Sequence, residues 1–313
     1  MDGGDQRWIH ELAAPLRVKP GKEVRLEDFD PRFCEGVESK MEGRELLDKE
    51  IEHLADLQGR LYAQDVYGLL VVIQALDAAG KDGTIRHVMS GVNPQGVVVH
   101  PFKVPSVEEL DHDYLWRYTQ RLPQRGQIGI FNRSHYEEVL VVRVHPELLA
   151  RQDLPAGSAG PDLWKRRFRE INHWEHYLVD NGIKVVKLFL NISKEEQRRR
   201  FLRRIELPDH NWKFSAADVQ ERQRWDDYQE AFSQMLSHTS TEWAPWHVIP
   251  ADRKWYGRLA AGAVILDALI ELDPRYPALE AAQRDELQRM RAALEAEAPA
   301  GAAPEPYEEE VKR

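Results

Sequence analysis

Cysteine and long apolar runs are both scarce in this chain. Its 313 residues include one cysteine, Cys34, which can form neither an internal disulfide nor, alone, a thiolate metal site. The apolar run from Leu69 to Leu76 is far too short to cross a bilayer, and the segment Met1 to Glu11 has no apolar run of the signal-peptide kind. These absences predict a cytoplasmic protein with no membrane partner.

An excess of positive charge is also absent. The formal net charge is −10, which argues against nucleic-acid binding because that requires a basic surface. Between Lys194 and Arg204, however, six cations stand against two anions, a net charge of +4 that leaves −14 for the rest of the chain. This compact basic segment favours an anionic ligand smaller than nucleic acid, although a solvated helix face would give the same pattern.

Strand-like runs alternate with helical segments along most of the chain. The run Leu69 to Ala75 is continuously apolar, as in a strand that is buried on both faces of a parallel sheet. Four more strand-like runs lie at Val97 to Phe102, Ile128 to Phe131, Ile183 to Leu190 and His247 to Ile249. Helical segments are predicted at Arg44 to Gln64, Val107 to Leu122, Ser134 to Val144, Leu163 to Asn181, Lys194 to Ile205, Ala216 to Leu236 and Tyr256 to Leu272. The alternation predicts an α/β fold with a five-stranded parallel sheet flanked by helices.

Three regions are predicted from this pattern. Residues 1 to 43 lack periodicity and are expected to form an irregular arm. Residues 44 to 275 hold the strands and the main helices, and so form the catalytic domain. Residues 276 to 313 are expected to form one polar helix, about Leu279 to Glu297, and then a disordered tail rich in Ala, Pro and Glu.

The segment Ala75 to Thr84 connects the first strand to a helix and has the features of a variant phosphate-binding loop. Small residues let backbone N–H groups curl around phosphate oxygens at the positive end of the helix, and Lys81 adds a mobile charge. Asp82 stands where a magnesium-binding Ser or Thr is usual, so Asp77 is the candidate carboxylate for Mg²⁺, with Mn²⁺ as a substitute. The predicted phosphate-binding residues of the loop are Ala78, Ala79, Gly80, Asp82, Gly83 and Thr84.

Three motifs in order, Ala75 to Thr84, Ser90 to Gly96 and Gly129 to Glu138, resemble the second family of polyphosphate kinases. The likeness covers about residues 44 to 272. It implies a P-loop kinase fold of the thymidylate-kinase type with a helical lid, and reversible, Mg²⁺-dependent transfer of the terminal phosphoryl group of inorganic polyphosphate to AMP or ADP. Asn132 and the run His135 to Glu138 are similar to the family's class III members, which phosphorylate both nucleoside mono- and diphosphates. AMP, ADP, ATP and polyphosphate are therefore the expected partners, and a homo-oligomer is expected.

The resemblance also implies roles for residues around the end of the strand Ile128 to Phe131. Asn132 stands where a related P-loop enzyme places an acidic metal ligand, and its uncharged amide would leave more of the metal binding to Asp77. Arg133 is expected to aim its guanidinium at the transferring phosphoryl group. Glu137 is expected near the nucleotide or the metal, so the predicted catalytic set is Asp77, Lys81, Asn132, Arg133 and Glu137.

A lid and an acceptor site are implied in the same way. The segment 193–218 resembles the family's lid, with matching positions at Gln197, Arg200, Arg203, Arg204, Trp212, Lys213 and Ser215. Its cations at 200, 203, 204 and 213 are expected to bind successive phosphates of polyphosphate. Phe102, Lys103 and Asp113 follow the second strand, where related kinases seat the acceptor nucleotide.

Two other functions remain open at this point. One is an ATP-dependent nucleoside monophosphate kinase, which would use the lid arginines on a single triphosphate. The other is a non-catalytic P-loop module, for which Asn132 and the missing Ser or Thr would be signs of lost catalysis. The number of lid cations and the presence of Asp77 inside the loop favour polyphosphate over both.

Overall fold

A computed structural model describes residues 3 to 297 of the chain. The chain divides into two compact units, residues 1–275 and residues 276–313. The first unit contains five strands, which are β1 (Gly68–Gln74), β2 (Val97–Pro101), β3 (Ile128–Asn132), β4 (Ile183–Asn191) and β5 (Trp246–Pro250). Its helices are α1 (Gly3–Ala13), α2 (Lys40–Gln64), α3 (Lys81–Val88), α4 (Val107–Leu110), α5 (Trp116–Thr119), α6 (Val141–Val144), α7 (Pro146–Leu149), α8 (Leu163–Asp180), α9 (Lys194–Glu206), α10 (Ala216–Glu221), α11 (Trp225–Thr239) and α12 (Lys254–Leu272). Short 3-10 segments lie at Ala14–Leu16, Leu26–Asp28, Pro94–Gly96, His135–Val139, Pro208–Lys213 and Arg222–Arg224.

The five strands form one parallel sheet in the order β2-β3-β1-β4-β5. Every residue of β1 is buried, and Val71 at its centre pairs with Ile130 of β3 and Val186 of β4. The predicted α/β fold with a five-stranded parallel sheet is confirmed. Because β3 and β4 lie on opposite sides of β1, the connections diverge there and leave a crevice at the carboxyl end of β1. The loop Ala75 to Gly80 occupies that position.

Helix α12 is the most buried helix of the first unit and packs between the sheet and helices α1 and α2. Its residues are apolar on nearly all sides, which is the composition expected of a helix enclosed in a core. Glu50 of α2 is the exception in this interface, since its side chain is 2% exposed and neither carboxylate oxygen has a hydrogen-bond partner.

Residues 1 to 43 differ from the predicted irregular arm, because α1 covers Gly3–Ala13. Ile9, Leu12 and Leu16 are buried against the core, and their spacing is that of a helix face continued by a 3-10 turn. The arm also adds to the sheet, since the backbone N–H of Val18 donates to the carbonyl oxygen of Trp246 at 2.8 Å. The apolar positions were too few to reveal this helix in the sequence.

Three predicted helices are broken in the structure, and one of them is Ala216 to Leu236, where a 3-10 turn at Arg222–Arg224 separates α10 from α11. The segment Val107 to Leu122 forms α4 and α5, because the Asp113 carboxylate accepts from the backbone N–H of Leu115 at 3.0 Å and fixes a turn between them. The segment Ser134 to Val144 begins as a 3-10 helix and changes to α6 at Leu140, where φ is −110° and ψ is −85°.

The second unit has one described helix, α13 (Ala281–Ala296), whose residues are all exposed. The expected disordered tail after it falls on residues 298 to 313, outside the described residues. Among residues 3 to 297, no helix is both long enough and apolar enough to cross a membrane.

Candidate active site

The loop between β1 and α3 has the backbone conformation of a tight phosphate-binding turn. Gly80 has φ of +110° and Ala78 has φ of +63°, a left-handed conformation that glycine adopts freely and alanine does not. The backbone N–H of Thr84 donates to the carbonyl oxygen of Gly80 at 3.0 Å, which starts α3 directly at the loop. The amides of the first turn of α3 therefore point toward the loop, as anion binding requires.

Lys81 lies at the first position of α3 and reaches back across the loop. Its ammonium donates to the carbonyl oxygen of Ala75 at 2.9 Å. Burial lowers the pKa of Lys81, and the nearby guanidinium of Arg133 lowers it further, while the carboxylates of Asp77 and Glu137 act in the opposite direction. A bound phosphate would offset the repulsion between the Lys81 ammonium and the Arg133 guanidinium, because its negative charge attracts both.

Arg133 joins the loop to the segment that follows β3. It has φ of +65°, and this strained backbone turns the side chain toward the loop. The guanidinium donates to Asp77 Oδ1 at 2.6 Å and to Glu137 Oε2 at 3.2 Å. Glu137 and Asp77 raise the pKa of Arg133 despite its burial, so the residue stays charged. Asn132 donates to Asp82 Oδ1 at 2.8 Å, and the predicted catalytic set is thus brought to one edge of the sheet.

Two side chains of α9 hold the loop by its backbone. Gln197 donates to the carbonyl oxygen of Asp77 at 2.9 Å. Arg200 donates to the carbonyl oxygens of Ala78 at 3.1 Å and Ala79 at 2.6 Å. These bonds fix the position of the basic helix directly above the phosphate-binding turn.

Comparison with known proteins agrees with this arrangement. The model of the family described as polyphosphate kinase 2 matches residues 37–276. The chain belongs to the polyphosphate kinase 2 family. It is 50% identical over 280 residues, or 89% of its length, to an ADP-polyphosphate phosphotransferase of Rhodopseudomonas palustris, 97% of which is covered. It is 44% identical over 270 residues, or 85% of its length, to an AMP/ADP-polyphosphate phosphotransferase of Meiothermus ruber, 96% of which is covered.

A solved structure supports the same assignment. The crystal structure of polyphosphate kinase 2 from Arthrobacter aurescens superposes with a TM-score of 0.80 at 40% sequence identity. The superposition covers 89% of this chain and 96% of that chain. The resemblance drawn from the three sequence motifs is therefore confirmed at the level of family and fold.

Arg200 makes further contacts in this polyphosphate kinase 2 chain. Besides the loop carbonyls, its guanidinium donates to the carbonyl oxygens of Ala251 and of Asp252 and to Glu196 Oε1. All three nitrogens of the buried guanidinium are thus directed at the protein and hold the loop; that Arg200 binds polyphosphate stays a prediction.

The other predicted lid cations are more open. Arg203 is exposed, and within residues 3 to 297 no ion pair is recorded for it. Arg204 pairs with Asp218 at 3.3 Å, and the ammonium of Lys213 lies 4.9 Å from the centre of the Trp212 ring. These three side chains are thus less engaged with the protein than Arg200, and their predicted phosphate binding stays a prediction.

The three residues expected at the acceptor site lie in different surroundings in the structure. Phe102 is buried and packs on the rings of Tyr118 and Phe131, with centroids 4.5 Å and 4.9 Å apart, so its place is in the core, and its contact with a nucleotide stays a prediction. Lys103 is exposed. Asp113 lines a cavity of about 360 Å³ together with Arg117.

Several side chains at this edge had no signal in the sequence. Asp218, Glu221 and Arg222 line a small cavity with Asp77 and Arg133, although they come more than 80 residues later in the chain. Burial raises the pKa of Asp218, and the Asp77 carboxylate raises it further. Only the fold places α10 over the loop, and no sequence motif singled out these three residues as parts of the site.

A second group lies behind the site and is called here the buried charge cluster. It consists of His135, Tyr136, Glu175, Lys187 and Thr239. The Glu175 carboxylate accepts from the ammonium of Lys187 at 2.6 Å and from the Tyr136 hydroxyl at 2.7 Å, and Lys187 also donates to the carbonyl oxygen of Thr239 at 2.6 Å. Burial alone would raise the pKa of Glu175, but Lys187 and His135 outweigh it and lower that pKa. The cluster fastens the segment carrying Arg133 and Glu137 to β4.

Proposed function

We propose that this chain transfers the terminal phosphoryl group of inorganic polyphosphate to ADP and to AMP, as a class III-like enzyme, and that it also runs the reverse reaction. The observation that carries the proposal is the meeting of Lys81 and Arg133 over a phosphate-binding loop. The names of the two relatives, one an ADP and one an AMP/ADP phosphotransferase, support both acceptors. The chain covers 97% and 96% of those relatives, so the likeness extends over nearly their whole length.

The proposed reaction is an in-line displacement at phosphorus. An oxygen of the acceptor's terminal phosphate forms a bond to the terminal phosphorus of polyphosphate, and the bond to the bridging oxygen breaks. The products are a nucleotide longer by one phosphate and a chain shorter by one. The attacking oxygen is already ionised, so the protein's part is positioning and charge neutralisation rather than proton transfer.

Lys81 and Arg133 are the cations placed to neutralise the transferring group. The Arg133 guanidinium has five N–H donors, and its recorded bonds to Asp77 and Glu137 use one hydrogen on each of two nitrogens. The remaining donors allow charge-assisted bonds to phosphate oxygens without release of either carboxylate. Those carboxylates orient the guanidinium before substrate arrives.

The side chains at the loop fit a magnesium ion that is shared with substrate. Within the part of the chain that the structure describes, no set of three or more His, Cys, Asp and Glu residues could hold a metal ion. Mg²⁺ is commonly bound by one or two carboxylates together with substrate phosphates and water. Asp77 and Asn132 would hold it here, with Asp82 beside them, and the ion would supply charge neutralisation on the phosphates. Mn²⁺ takes similar oxygen ligands and would substitute.

The acceptor nucleotide is proposed to bind on the α4 side of the loop. The cavity that contains Asp113 and Arg117 opens there, and Lys103 lies exposed on the same connection after β2. Lys103 is proposed to contact a nucleotide phosphate, and Asp113 to line the nucleotide site.

We also propose assembly with copies of the same chain. The edge strand β2 leaves Val98 and Val99 exposed, whereas the opposite edge at β5 is covered by residues 17 and 18. An open strand edge is a ready surface for pairing. Light scattering at several protein concentrations tests this, and a monomer at all of them would reject it.

One assay tests the proposed activity. Purified protein is incubated with Mg²⁺, long-chain polyphosphate and either AMP or ADP, with no ATP present, and the nucleotides are separated by chromatography. Formation of ADP or ATP is expected. Turnover with ATP and AMP but none with polyphosphate would instead support a nucleoside monophosphate kinase, and binding without turnover would support a non-catalytic module.

Asp77→Asn provides the matched test of the loop. The amide keeps the size of the side chain but removes its charge, so the Mg²⁺ concentration needed for half-maximal rate should rise by about tenfold or more. The exposed Asp48→Asn on α2 is the control for loss of one charge. A normal Mg²⁺ requirement in Asp77→Asn would contradict the assigned role.

A further inference from the structure

Helix α13 carries an exposed apolar stripe along one of its faces. Leu287, Met290 and Leu294 are 54%, 53% and 68% exposed, and they follow one another at steps of three and four residues. That spacing places the three side chains in one line along the helix. Every residue of α13 is exposed, so the stripe does not belong to a core formed by residues 3 to 297.

The sequence nevertheless specifies α13 as a helix. The backbone N–H of Glu280 donates to Gln283 Oε1 at 2.9 Å, which is one half of a capping box at its start. Apart from Asp285, the helix consists of the strong helix formers Ala, Leu, Arg, Gln, Glu and Met. A helix of 16 residues is still marginal in water by itself, because helices in proteins gain most of their stability from burial of an apolar face. A second element that covered the stripe would therefore stabilise α13.

The stripe has the width and the flanking charges of a coiled-coil seam. In a heptad labelled a to g, Leu287 and Leu294 take position a, and Met290 takes position d. Charged side chains flank the seam, with Glu286 at position g and Arg291 at position e. A seam of two positions in seven accommodates one partner helix, whereas a helix packed on a globular core presents a wider apolar face. The pattern therefore indicates a single helix as the partner.

The flanking charges are complementary to those of a second α13 in the parallel orientation. Position g of one helix then faces position e in the next heptad of the other, so Glu286 would face Arg291 of the second copy, and symmetry repeats the contact. An antiparallel pair would instead bring Arg284 toward Arg291 of the second copy, where like charges repel. Arg291 also pairs with Glu295 of its own helix at 2.8 Å, and a guanidinium with five donors can serve both carboxylates.

The charge of α13 does not suit a lipid surface or a polyanion. Helices that lie on membranes are rich in Lys and Arg on their polar face, and polyanions also require an excess of cations. In α13 three cations balance three anions, so that 3 − 3 = 0, and the charged positions are 284, 289 and 291 against 285, 286 and 295. Burial of the seam against another neutral helix is therefore favoured over both.

We propose that α13 pairs in parallel with α13 of a second copy of this chain, as a two-stranded coiled coil. Leu287, Met290 and Leu294 of the two copies form its seam, and Glu286 and Arg291 set its direction. The helix lies outside residues 37–276, the part of the chain that matches the family model. The pairing is separate from the exposed edge of β2, and it does not depend on the proposed activity.

Sedimentation equilibrium of the full chain at several protein concentrations tests the pairing. Met290→Lys puts a charge into the seam, so the dissociation constant of the dimer should rise by about tenfold or more. Gln288→Lys adds the same charge beside the seam and is the matched control, whose dissociation constant should not change. Both positions are exposed, so neither variant threatens the fold.

Three outcomes would overturn the pair. One is a monomer at every concentration of the unaltered chain. Another is an equal dissociation constant for Met290→Lys and Gln288→Lys, which would leave only the proposed association through β2. The third is a lower urea midpoint in Met290→Lys with an unchanged mass, since the stripe would then pack on its own chain.

Cysteine cross-linking tests the direction of the pair. In a Cys34→Ser background, Leu287→Cys and Leu294→Cys each place one thiol per copy in the seam. A parallel pair in register brings identical positions together, so oxidation should give a covalent dimer in both variants. Ala292→Cys, on the outer face of α13, is the control and should stay mostly monomeric. No covalent dimer in either seam variant, or equal formation of it in Ala292→Cys, would overturn the parallel pair.

Discussion

The two charged regions that contact the segment after β3 are built from similar groups but differ in which hydrogen-bonding groups they leave free for a ligand. At the loop, Arg133 lies between Asp77 and Glu137 in a half-open crevice, and its guanidinium keeps unused donors. In the buried charge cluster, the side chains of Glu175 and Lys187 are 0% exposed and bind one another and their neighbours. The first arrangement can accept a ligand, whereas the second has no room for one.

This difference shows how the fold divides its charged residues between two tasks. A buried ion pair contributes little net stability, but the loss of one partner is costly because the other is left as an unpaired charge. The cluster therefore specifies where the segment after β3 must lie. Arg133, between Asp77 and Glu137, is thereby held in a fixed position and can still bind phosphate.

The largest effect is expected when the buried cluster is broken. Lys187→Met leaves Glu175 buried without its cation, so the free energy of unfolding should fall by about 3–5 kcal/mol. Urea unfolding followed by tryptophan fluorescence measures it. Addition of Glu175→Leu to the same chain should recover part of the loss, since the unpaired charge is removed. An unchanged urea midpoint in Lys187→Met would show that the cluster does not hold this segment.

A substitution in the loop should instead reduce activity strongly and stability little. Lys81→Met should lower kcat/KM by about 10²–10³ because a cation at the transferring group is lost, while the free energy of unfolding changes by only about 1 kcal/mol. Initial rates and urea unfolding on the same preparation test both parts. Lys49→Met, an exposed change on α2, is the control. A stability loss as large as that of Lys187→Met would abolish the distinction between the regions.

Arg200 lies between these extremes, since it is buried yet contacts the catalytic loop. Arg200→Lys cannot reproduce the fork of bonds to the carbonyls of Ala78 and Ala79, so kcat should fall about tenfold. Amide hydrogen exchange in residues 75–84 should become faster at the same time, which mere loss of a phosphate contact would not cause. Arg199→Lys on the exposed face of α9 is the matched control. Slower turnover with unchanged exchange would return Arg200 to the phosphate-binding set.

The smallest effect concerns Glu50, a buried carboxylate that lacks the partners of Glu175. Burial raises the pKa of Glu50 well above its ordinary value, so its contribution to stability is present below about pH 4.5 and is lost as pH rises through the folded-state pKa. Glu50→Gln should therefore stabilise the protein by about 1 kcal/mol at pH 8 and have little effect at pH 4. Urea midpoints at the two pH values measure the difference. Equal midpoints at pH 8 would show that Glu50 has a compensating partner.

The sequence was sufficient for the features that depend on neighbouring residues. The apolar run of β1, the small residues of the loop and Lys81 follow one another directly, so their order predicted both the sheet and the phosphate-binding turn. The roles of Arg200 and Phe102 could not be found in this way, because each depends on which distant atoms its side chain meets. Asp218 and Arg222 were hidden for the same reason.

The attachment of α9 to the loop has a consequence for protein engineering. Gln197 and Arg200 hold residues 77 to 79 through carbonyl oxygens, which every amino acid provides. Side chains on this stretch can therefore be exchanged without loss of the acceptors that α9 recognises. Ala78→Gly should therefore keep both of these attachments and also relieve the left-handed backbone, whereas larger side chains would not suit a φ of +63°.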